Sequence, residues 1–316
     1  MRLIRGLHNL HASDRACVAT IGNFDGVHLG HRAVFRQLID LARAHQAVAT
    51  VITFEPQPME FFAPAQAPAR LTRLREKARI MAEDGIGQLV VLRFDQHLAA
   101  LDPESFVTRL LVEGLGVRYL LVGDDFRFGH KRAGDFQLLR ECGERFGFEV
   151  ANLPTVHDGQ ERISSTRVRA ALADADLALA QRLLGRPFYL HGRVAHGDQR
   201  GRTLGFPTAN LHLHRHSTPV SGVYAVRVHG LGPVARPAVA NVGSRPTVAG
   251  TDSRLEVHLF DFDQDIYGAH LRVEFCAWLR HEQKFPSLAA LQEQIARDSA
   301  AAREFFATSP APSPTL

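Results

Sequence analysis

The chain is 316 residues long, 45% hydrophobic and 22% charged, which suffices for two domains with separate cores and excludes a low-complexity polypeptide. Its 37 basic residues nearly balance 33 acidic ones, and the net charge of +4 fits small polyanions or nucleic acid without selecting between them. Three scattered cysteines, Cys17, Cys142 and Cys276, make neither a disulfide framework nor a Cys-x-x-Cys unit, so a reducing cytoplasm is expected.

Arg2, Arg5 and His8 interrupt residues 1–10, which leaves no signal-peptide core, and no later apolar stretch is long enough to span a bilayer. From Val18 the chain alternates in period. Strands are expected at Val18–Ile21, Val48–Phe54, Leu89–Phe94, Tyr119–Gly123 and Phe148–Leu153, with helical patterns at 31–45, 73–84, 103–115 and 134–146. That rhythm is the βαβ order of a doubly wound parallel sheet. Helices at 166–173 and 176–184 follow. Gly185 suits a C-cap and Pro187 a stop, so the domain boundary is placed after residue 184.

The first of these strands runs into Gly22-Asn23-Phe24-Asp25-Gly26-Val27-His28-Leu29-Gly30-His31. Strand, tight turn and helix start form the place where an α/β sheet binds phosphate, because unpaired N–H groups and the helix dipole favour an anion. His28 and His31 add imidazole donors on one side, and Gly30 lets a nucleotide approach the backbone. Two surface histidines, or half a metal site, give the same spacing. Zinc would need further ligands, and none stands at ligand spacing.

Three further stretches bear on this site. Thr53-Phe54-Glu55-Pro56-Gln57-Pro58-Met59-Glu60-Phe61-Phe62 reads as a rigid surface loop or as a flap whose Phe61 and Phe62 stack on a flat ring. Gly123-Asp124-Asp125-Phe126 follows a strand, where Asp125 is placed to meet a ribose hydroxyl or ring amine, or is an ordinary turn residue. Ser164, Ser165 and Thr166 read as an N-cap, yet Arg167 and Arg169 in the same first turn oppose the helix dipole unless an anion binds there.

Gly-x-Phe-Asp-Gly-x-His-x-Gly-His resembles the signature of the His-x-Gly-His nucleotidyltransferases, and Ile-Ser-Ser-Thr-x-x-Arg resembles their second phosphate-binding motif. The resemblance implies a Rossmann-like nucleotidyltransferase domain over residues 1–184. It places Gly22, Phe24, Asp25, His28 and His31 at a nucleotide, and Ser165, Thr166 and Arg169 on a triphosphate.

Beyond residue 185 the pattern becomes alternation between Gly-rich turns. Strands are expected at His191–Val194, Phe206–Leu211, Val223–His229, Pro237–Asn241, Leu255–Asp261 and Leu271–Leu279, which suggests a six-stranded antiparallel barrel. Leu288, Leu291, Ile295, Ala302, Phe305 and Phe306 mark one closing helix. Residues 308–316, rich in Pro and Ser, read as a disordered tail. His212-x-His214-x-His216 reads as a solvated loop rather than a metal site.

The barrel opens on a run with Gly192, His196, Gly197, Gly201, Arg202, Gly205 and Pro207-Thr208-Ala209-Asn210. Its glycines suit backbone contacts to a phosphate chain, although Gly-Lys-Ser/Thr of a Walker loop is missing. Thr208 and Asn210 fall on one strand face, either as oxygen ligands for Mg²⁺ or as solvent-facing residues. In Leu255-Glu256-Val257-His258-Leu259, Glu256 and His258 face away from the three apolar residues, as on any polar outer face.

The Gly-rich run through Asn210 resembles the flavokinase signature, and Glu-x-His-x-x-Asp-Phe resembles that family's catalytic segment. With the first domain, the order of motifs resembles the bacterial bifunctional riboflavin kinase/FMN adenylyltransferase family. The resemblance implies a flavokinase barrel over 185–307, with Glu256 as base for the riboflavin hydroxyl. It assigns Thr208 and Asn210 to Mg²⁺, and His196, Gly197, Gly201 and Arg202 to the nucleotide. Asn241-Val242-Gly243-Ser244-Arg245-Pro246-Thr247 also resembles the family pattern and is read as structural, with some ligand contact. The expected ligands are riboflavin, FMN, FAD and ATP, with no nucleic acid and no membrane.

Two other readings compete. A nucleotidyltransferase with a pantetheine or nicotinate nucleotide substrate would leave Glu256, Thr208 and Asn210 incidental. A nucleic-acid-binding barrel would need aromatics interleaved with Lys and Arg, whereas Phe206, Tyr224, Phe260, Phe262, Tyr267 and Phe275 stand mostly among apolar or acidic neighbours.

Overall fold

The computed structural model describes residues 1–123, 125–153, 155–195, 206–213, 215, 217–247 and 250–309, with backbone alone for 244–247 and 250–252. The chain divides into two units, Met1–Pro68 with Thr72–Ser165, and Ala69–Leu71 with Thr166–Leu316.

The first unit is built on one sheet. Its strands are β1 (Arg2–Arg5), β2 (Val18–Ile21), β3 (Ala49–Glu55), β4 (Gln88–Arg93), β5 (Tyr119–Val122) and β6 (Glu149–Asn152). They lie in the order β1-β4-β3-β2-β5-β6, every pair parallel. Parallel sheets bury both faces, and all four residues of β2 and six of the seven in β3 are buried. One face packs Ile52, Phe54, Val90, Leu92 and Leu120 on Phe106, Leu110 and Leu139. α1 (Leu29–Ala44) lies against β2 and β3 and buries Phe35, Leu38 and Ala42. Shorter helices α2 (Pro58–Phe62), α3 (Leu74–Glu83), α4 (Gln96–Ala99), α5 (Pro103–Phe106) and α6 (Phe136–Phe146) complete the windings.

Three features depart from the sequence reading. β1 adds an edge strand in which only Ile4 is buried, so no alternation marks it. The helix expected over 103–115 is α5 followed by a π-helix, Val107–Leu115. Phe106, Leu110 and Leu115 stand four and five residues apart, a stripe that suits the wider turn as well as the α-helix. A hairpin of β7 (His157–Asp158) and β8 (Glu161–Arg162) has no buried residue to announce it.

The second unit begins with α7 (Ser165–Ala173) and α8 (Leu177–Leu184), and α8 ends at Gly185 in the left-handed conformation. β9 (Tyr189–Ala195), β10 (Ala209–His212), β11 (Gly222–His229), β12 (Arg236–Thr247), β13 (Gly250–Leu259) and β14 (His270–Arg280) form a closed antiparallel barrel in the order β10-β13-β12-β11-β14-β9. β10 starts later than the expected Phe206. β12 and β13 run further than expected, to a hairpin at Thr247 and Gly250. His212 lies exposed on β10, and His214 and His216 are outside the described residues. Tail residues 310–316 are also outside them.

Leu190, Leu211, Tyr224, Val226, Leu255, Val257, Val273 and Phe275 are buried along the strands. The alternate residues Val223, Ala225 and Val239 pack with Phe260 on Ala302, Phe305 and Phe306 of α9 (Leu288–Thr308). The first set therefore fills the barrel, and the second forms its outer face. Ser287 caps α9 by accepting from the Ala290 N–H. Among the described residues, no helix is long and apolar enough to cross a membrane. The cysteines are free, and burial pushes the Cys17 and Cys276 thiols up to about 11.

The guanidinium of Arg280 on β14 grips Asp298 of α9 with Nε and Nη2 at 2.9 and 2.7 Å, and Asp298 is buried. Removing one partner leaves a buried charge unpaired. Arg280→Ala, which leaves the buried Asp298 carboxylate without its cation, is expected to cost about 3 kcal/mol in urea unfolding; a loss below about 1 kcal/mol would show that this ion pair does not hold the helix.

Candidate active sites

In the first unit the chain leaves β2 towards β3 on one side, while β5 and β6 continue on the other. The crevice beyond the carboxyl ends of β2 and β5 is thus the topological switch point, where open α/β sheets bind ligands. The Gly22–Val27 loop and the Gly123–Asp125 turn follow these two strand ends.

The first loop is strained and braced. Phe24 and Val27 have φ of 46° and 43°, a region that a β-branched residue such as Val27 rarely enters. Asp25 is 3% exposed. Its Oδ1 accepts from the Thr72 N–H at 2.9 Å and the Thr72 hydroxyl at 3.3 Å, while Thr72 Oγ1 accepts from the Gly26 N–H at 2.8 Å. Ser165 Oγ donates to the Asp25 carbonyl at 2.8 Å. The Asn23 carbonyl accepts from Thr53 Oγ1 at 3.4 Å and from Nζ of Lys77, a lysine only 1% exposed. Asp25, read from sequence as a nucleotide contact, therefore has a bracing role in the loop, and so does the hydroxyl of Ser165.

His28 is the N-cap of α1. Its Nδ1 accepts from the His31 N–H at 3.3 Å, so in the neutral ring the proton sits on Nε2, a donor. The two imidazoles stack at a centroid distance of 3.6 Å and 17° between planes, and the Phe24 ring meets His31 edge-on at 5.1 Å. Gly30 is needed by contact rather than by φ: a Cβ there would lie 3.1 Å from His28 Cε1 and Nδ1. Gly22 is crowded in the same way, 3.1 Å from the Phe24 ring.

At the neighbouring strand end the exposed Asp125 accepts from Arg162 Nη1 at 3.1 Å, which ties the β7–β8 hairpin to the turn after β5. Beyond β3 and β4, Phe61 and Phe62 meet Phe94 at 5.6 and 5.5 Å, and Phe62 stays 63% exposed. Thr166 and Arg169 lie in the second unit, where Arg169 Nε donates to the Ala69 carbonyl at 2.7 Å. Thr72, Lys77 and Arg162 are bracing residues the sequence did not announce: a single polar residue facing inward, as Thr72 and Lys77 do, breaks no periodic pattern, and Arg162 is an exposed base whose partner lies far along the chain.

On the barrel, cross-strand register brings the kinase candidates together. Asn210 pairs with Glu256, and Glu256 pairs with Asn241, so the three side chains share one row on the outer face. Leu255 and Val257 beside them are fully buried, while Glu256 and His258 are half-buried. His258 lies 2.9 Å through Nδ1 from the Pro207 carbonyl, and the Phe206 ring meets it edge-on at 5.4 Å. It thereby holds the segment that carries the half-buried Thr208 beside the start of β10. His196, Gly197, Gly201 and Arg202 lie outside the described residues. Among the described residues no cluster of three His, Cys, Asp or Glu could hold a metal. The hydroxyl and amide oxygens of Thr208 and Asn210 instead suit a hard ion that keeps several of its waters.

Comparison with known proteins matches both units. A family model described as FAD synthetase covers residues 10–167, and one described as riboflavin kinase covers residues 184–306. Proteins named bifunctional riboflavin kinase/FMN adenylyltransferase are similar throughout. The one from Escherichia coli (strain K12) is 55% identical over 97% of this chain and 98% of its own, and that of Pseudomonas fluorescens is 51% identical over 98% and 99%. A solved structure, of a protein named as a macrolide-efflux protein from Streptococcus pneumoniae, covers 96% of this chain and 99% of its own, with a TM-score of 0.78 and 32% identity. With the switch-point histidines on one fold and the Asn210–Glu256–Asn241 row on the other, this chain belongs to the bifunctional riboflavin kinase/FMN adenylyltransferase family.

Proposed function

We propose that the chain converts riboflavin to FMN on the barrel and FMN to FAD on the parallel sheet, with residues 185–307 and 1–184 as the two working domains. The observation that carries the adenylyl-transfer assignment is the stacked His28–His31 pair at the head of α1. A phosphate oxygen of FMN attacks the α-phosphorus of ATP, and pyrophosphate leaves. The nucleophile is already ionised near neutral pH, so no base is needed. The chain must hold two anions in line and offset the growing charge. His28 Nε2 and the N–H groups of the first turn of α1 suit that task. Ser165, Thr166 and Arg169 are assigned to the triphosphate on the family resemblance, and Asp125 to the nucleotide by its place after the carboxyl end of β5. Phe61 and Phe62 offer exposed rings to the isoalloxazine.

Phosphorylating an alcohol does need a proton acceptor. The riboflavin 5′-hydroxyl oxygen attacks the γ-phosphorus of ATP, ADP leaves, and the hydroxyl proton passes to the Glu256 carboxylate. Thr208 and Asn210 would hold Mg²⁺, which neutralises phosphate charge when bound. His258 keeps Thr208 in place through Pro207. His196, Gly197, Gly201 and Arg202 are assigned to the ATP phosphates on the resemblance. A cytoplasmic location fits three free cysteines.

Incubation with riboflavin, ATP and Mg²⁺, followed by chromatography, should show FMN rising first and FAD replacing it. Glu256→Ala is expected to lower FMN formation by about 10²–10⁴-fold while FAD still forms from supplied FMN. His28→Ala should do the reverse, slowing FAD formation by about 10²-fold or more. Equal loss of both steps in either folded variant would refute the two-site assignment.

Gly30→Ala tests the histidine geometry without removing a donor. The added methyl presses on the His28 ring, and FAD formation should fall by up to about 10²-fold with FMN formation retained. An unaltered FAD rate would mean that the His28 position does not govern adenylyl transfer.

A further inference from the structure

The row on the barrel has a member that the reaction described so far does not use. Asn241 stands beside Glu256 on the side away from Asn210. Its Nδ2 donates to Glu282 Oε1 at 3.2 Å. That bond fixes which way the amide points and leaves Oδ1 as an acceptor. Oδ1 is buried and has no hydrogen-bond partner among the described residues, an arrangement that costs stability unless something else fills it. Glu282 follows β14 and lies against the backbone of β12, where a Cβ on Gly243 would collide with its carboxylate. Gly243 is two residues from Asn241 on the same strand face, so the glycine makes room for the group that orients the amide.

Position on the barrel indicates what fills the acceptor. Two strand spacings, about 10 Å, separate the backbones at Asn210 and Asn241, with Glu256 between them. Asn210 pairs with Ala195, the last residue of β9 before the Gly-rich run. Asn241 pairs instead with Val223, and Val223 and Val239 belong to the apolar face beneath α9. The base therefore stands between a phosphate side on β10 and an apolar side on β12.

We propose that Asn241 Oδ1 accepts a hydrogen bond from a ribityl hydroxyl of riboflavin, with Glu282 as the positioning residue that orients the amide. This rests on Glu256 being the kinase base. Asn241 thereby sets where the 5′-hydroxyl lies relative to Glu256, and it acts on the alcohol rather than on ATP.

The test uses the full-length protein and measures KM for riboflavin and for MgATP in FMN formation, with FAD formation from supplied FMN as the control for folding. Asn241→Ala should raise the riboflavin KM by about tenfold or more and move the MgATP KM by less than about twofold. Glu282→Ala, at an exposed residue, should shift the same constant in the same direction, and Glu282→Gln, which keeps an acceptor there, should shift it less. An unchanged riboflavin KM, or a raised MgATP KM, in Asn241→Ala would overturn the proposal. Should that variant not fold, Glu282→Ala carries the same split between the two constants. The two readings separate cleanly. Normal FMN formation by Glu256→Ala removes the base assignment itself, whereas an inactive Glu256→Ala beside an Asn241→Ala with normal riboflavin KM removes this inference alone.

Discussion

A six-stranded barrel has no lumen to spare, and a parallel sheet covered by helices has no open face. Both constraints act here. Leu211, Val226, Leu255, Val257, Val273 and Phe275 fill the barrel, as side chains do in small barrels, and the central strands β2 and β3 are buried on both sides. Chemistry is therefore excluded from both interiors. It is left with two kinds of place, the carboxyl ends of the parallel strands and the outer face of the barrel. The histidines proposed for adenylyl transfer stand at the first, and the proposed kinase base Glu256 at the second.

Each place brings its own problem. A loop at a strand end is loosely held by nature, yet adenylyl transfer depends on position more than on any reacting side chain. The Gly22–Val27 loop answers with bonds from three directions. Thr72 reaches Asp25 and Gly26, Lys77 and Thr53 reach Asn23, and Ser165 reaches the Asp25 carbonyl. That bracing is what allows Phe24 and Val27 to keep positive φ. On the barrel the strand backbone is already rigid, and the difficulty lies in aiming short side chains. Register does part of this by aligning Asn210, Glu256 and Asn241, and tethers from His258 and Glu282 do the rest.

The sequence revealed most where a residue's role follows from period or from its own chemistry. Val18–Ile21, the closing helix and the Gly185 stop are where periodicity and capping put them. Glu256 and His258 face away from Leu255 and Val257 because alternation requires it. What stayed hidden depends on partners far along the chain. Lys77 sits among the charged residues of an ordinary amphipathic helix, and only the fold places its ammonium under Asn23. Arg162 looks like one more exposed base until the β7–β8 hairpin carries it to Asp125. The Val107–Leu115 π-helix escaped for a different reason, since its apolar stripe satisfies two helical periods equally.

Asp25 and Glu256 illustrate how environment divides labour between carboxylates. Asp25 is 3% exposed and accepts from a backbone N–H and a hydroxyl of one residue, Thr72. Such bonds are directional and local, so the carboxylate fixes geometry and has little room to meet a substrate. Glu256 is half-buried, and Asn210 and Asn241 stand opposite it on the two neighbouring strands. A carboxylate that must hold a strained loop is served by hydrogen bonds from a fixed backbone, whereas the one proposed as the kinase base stands on a strand whose register sets its neighbours. The strand that places Asn241 beside Glu256 thus sets an orienting amide next to the proposed base.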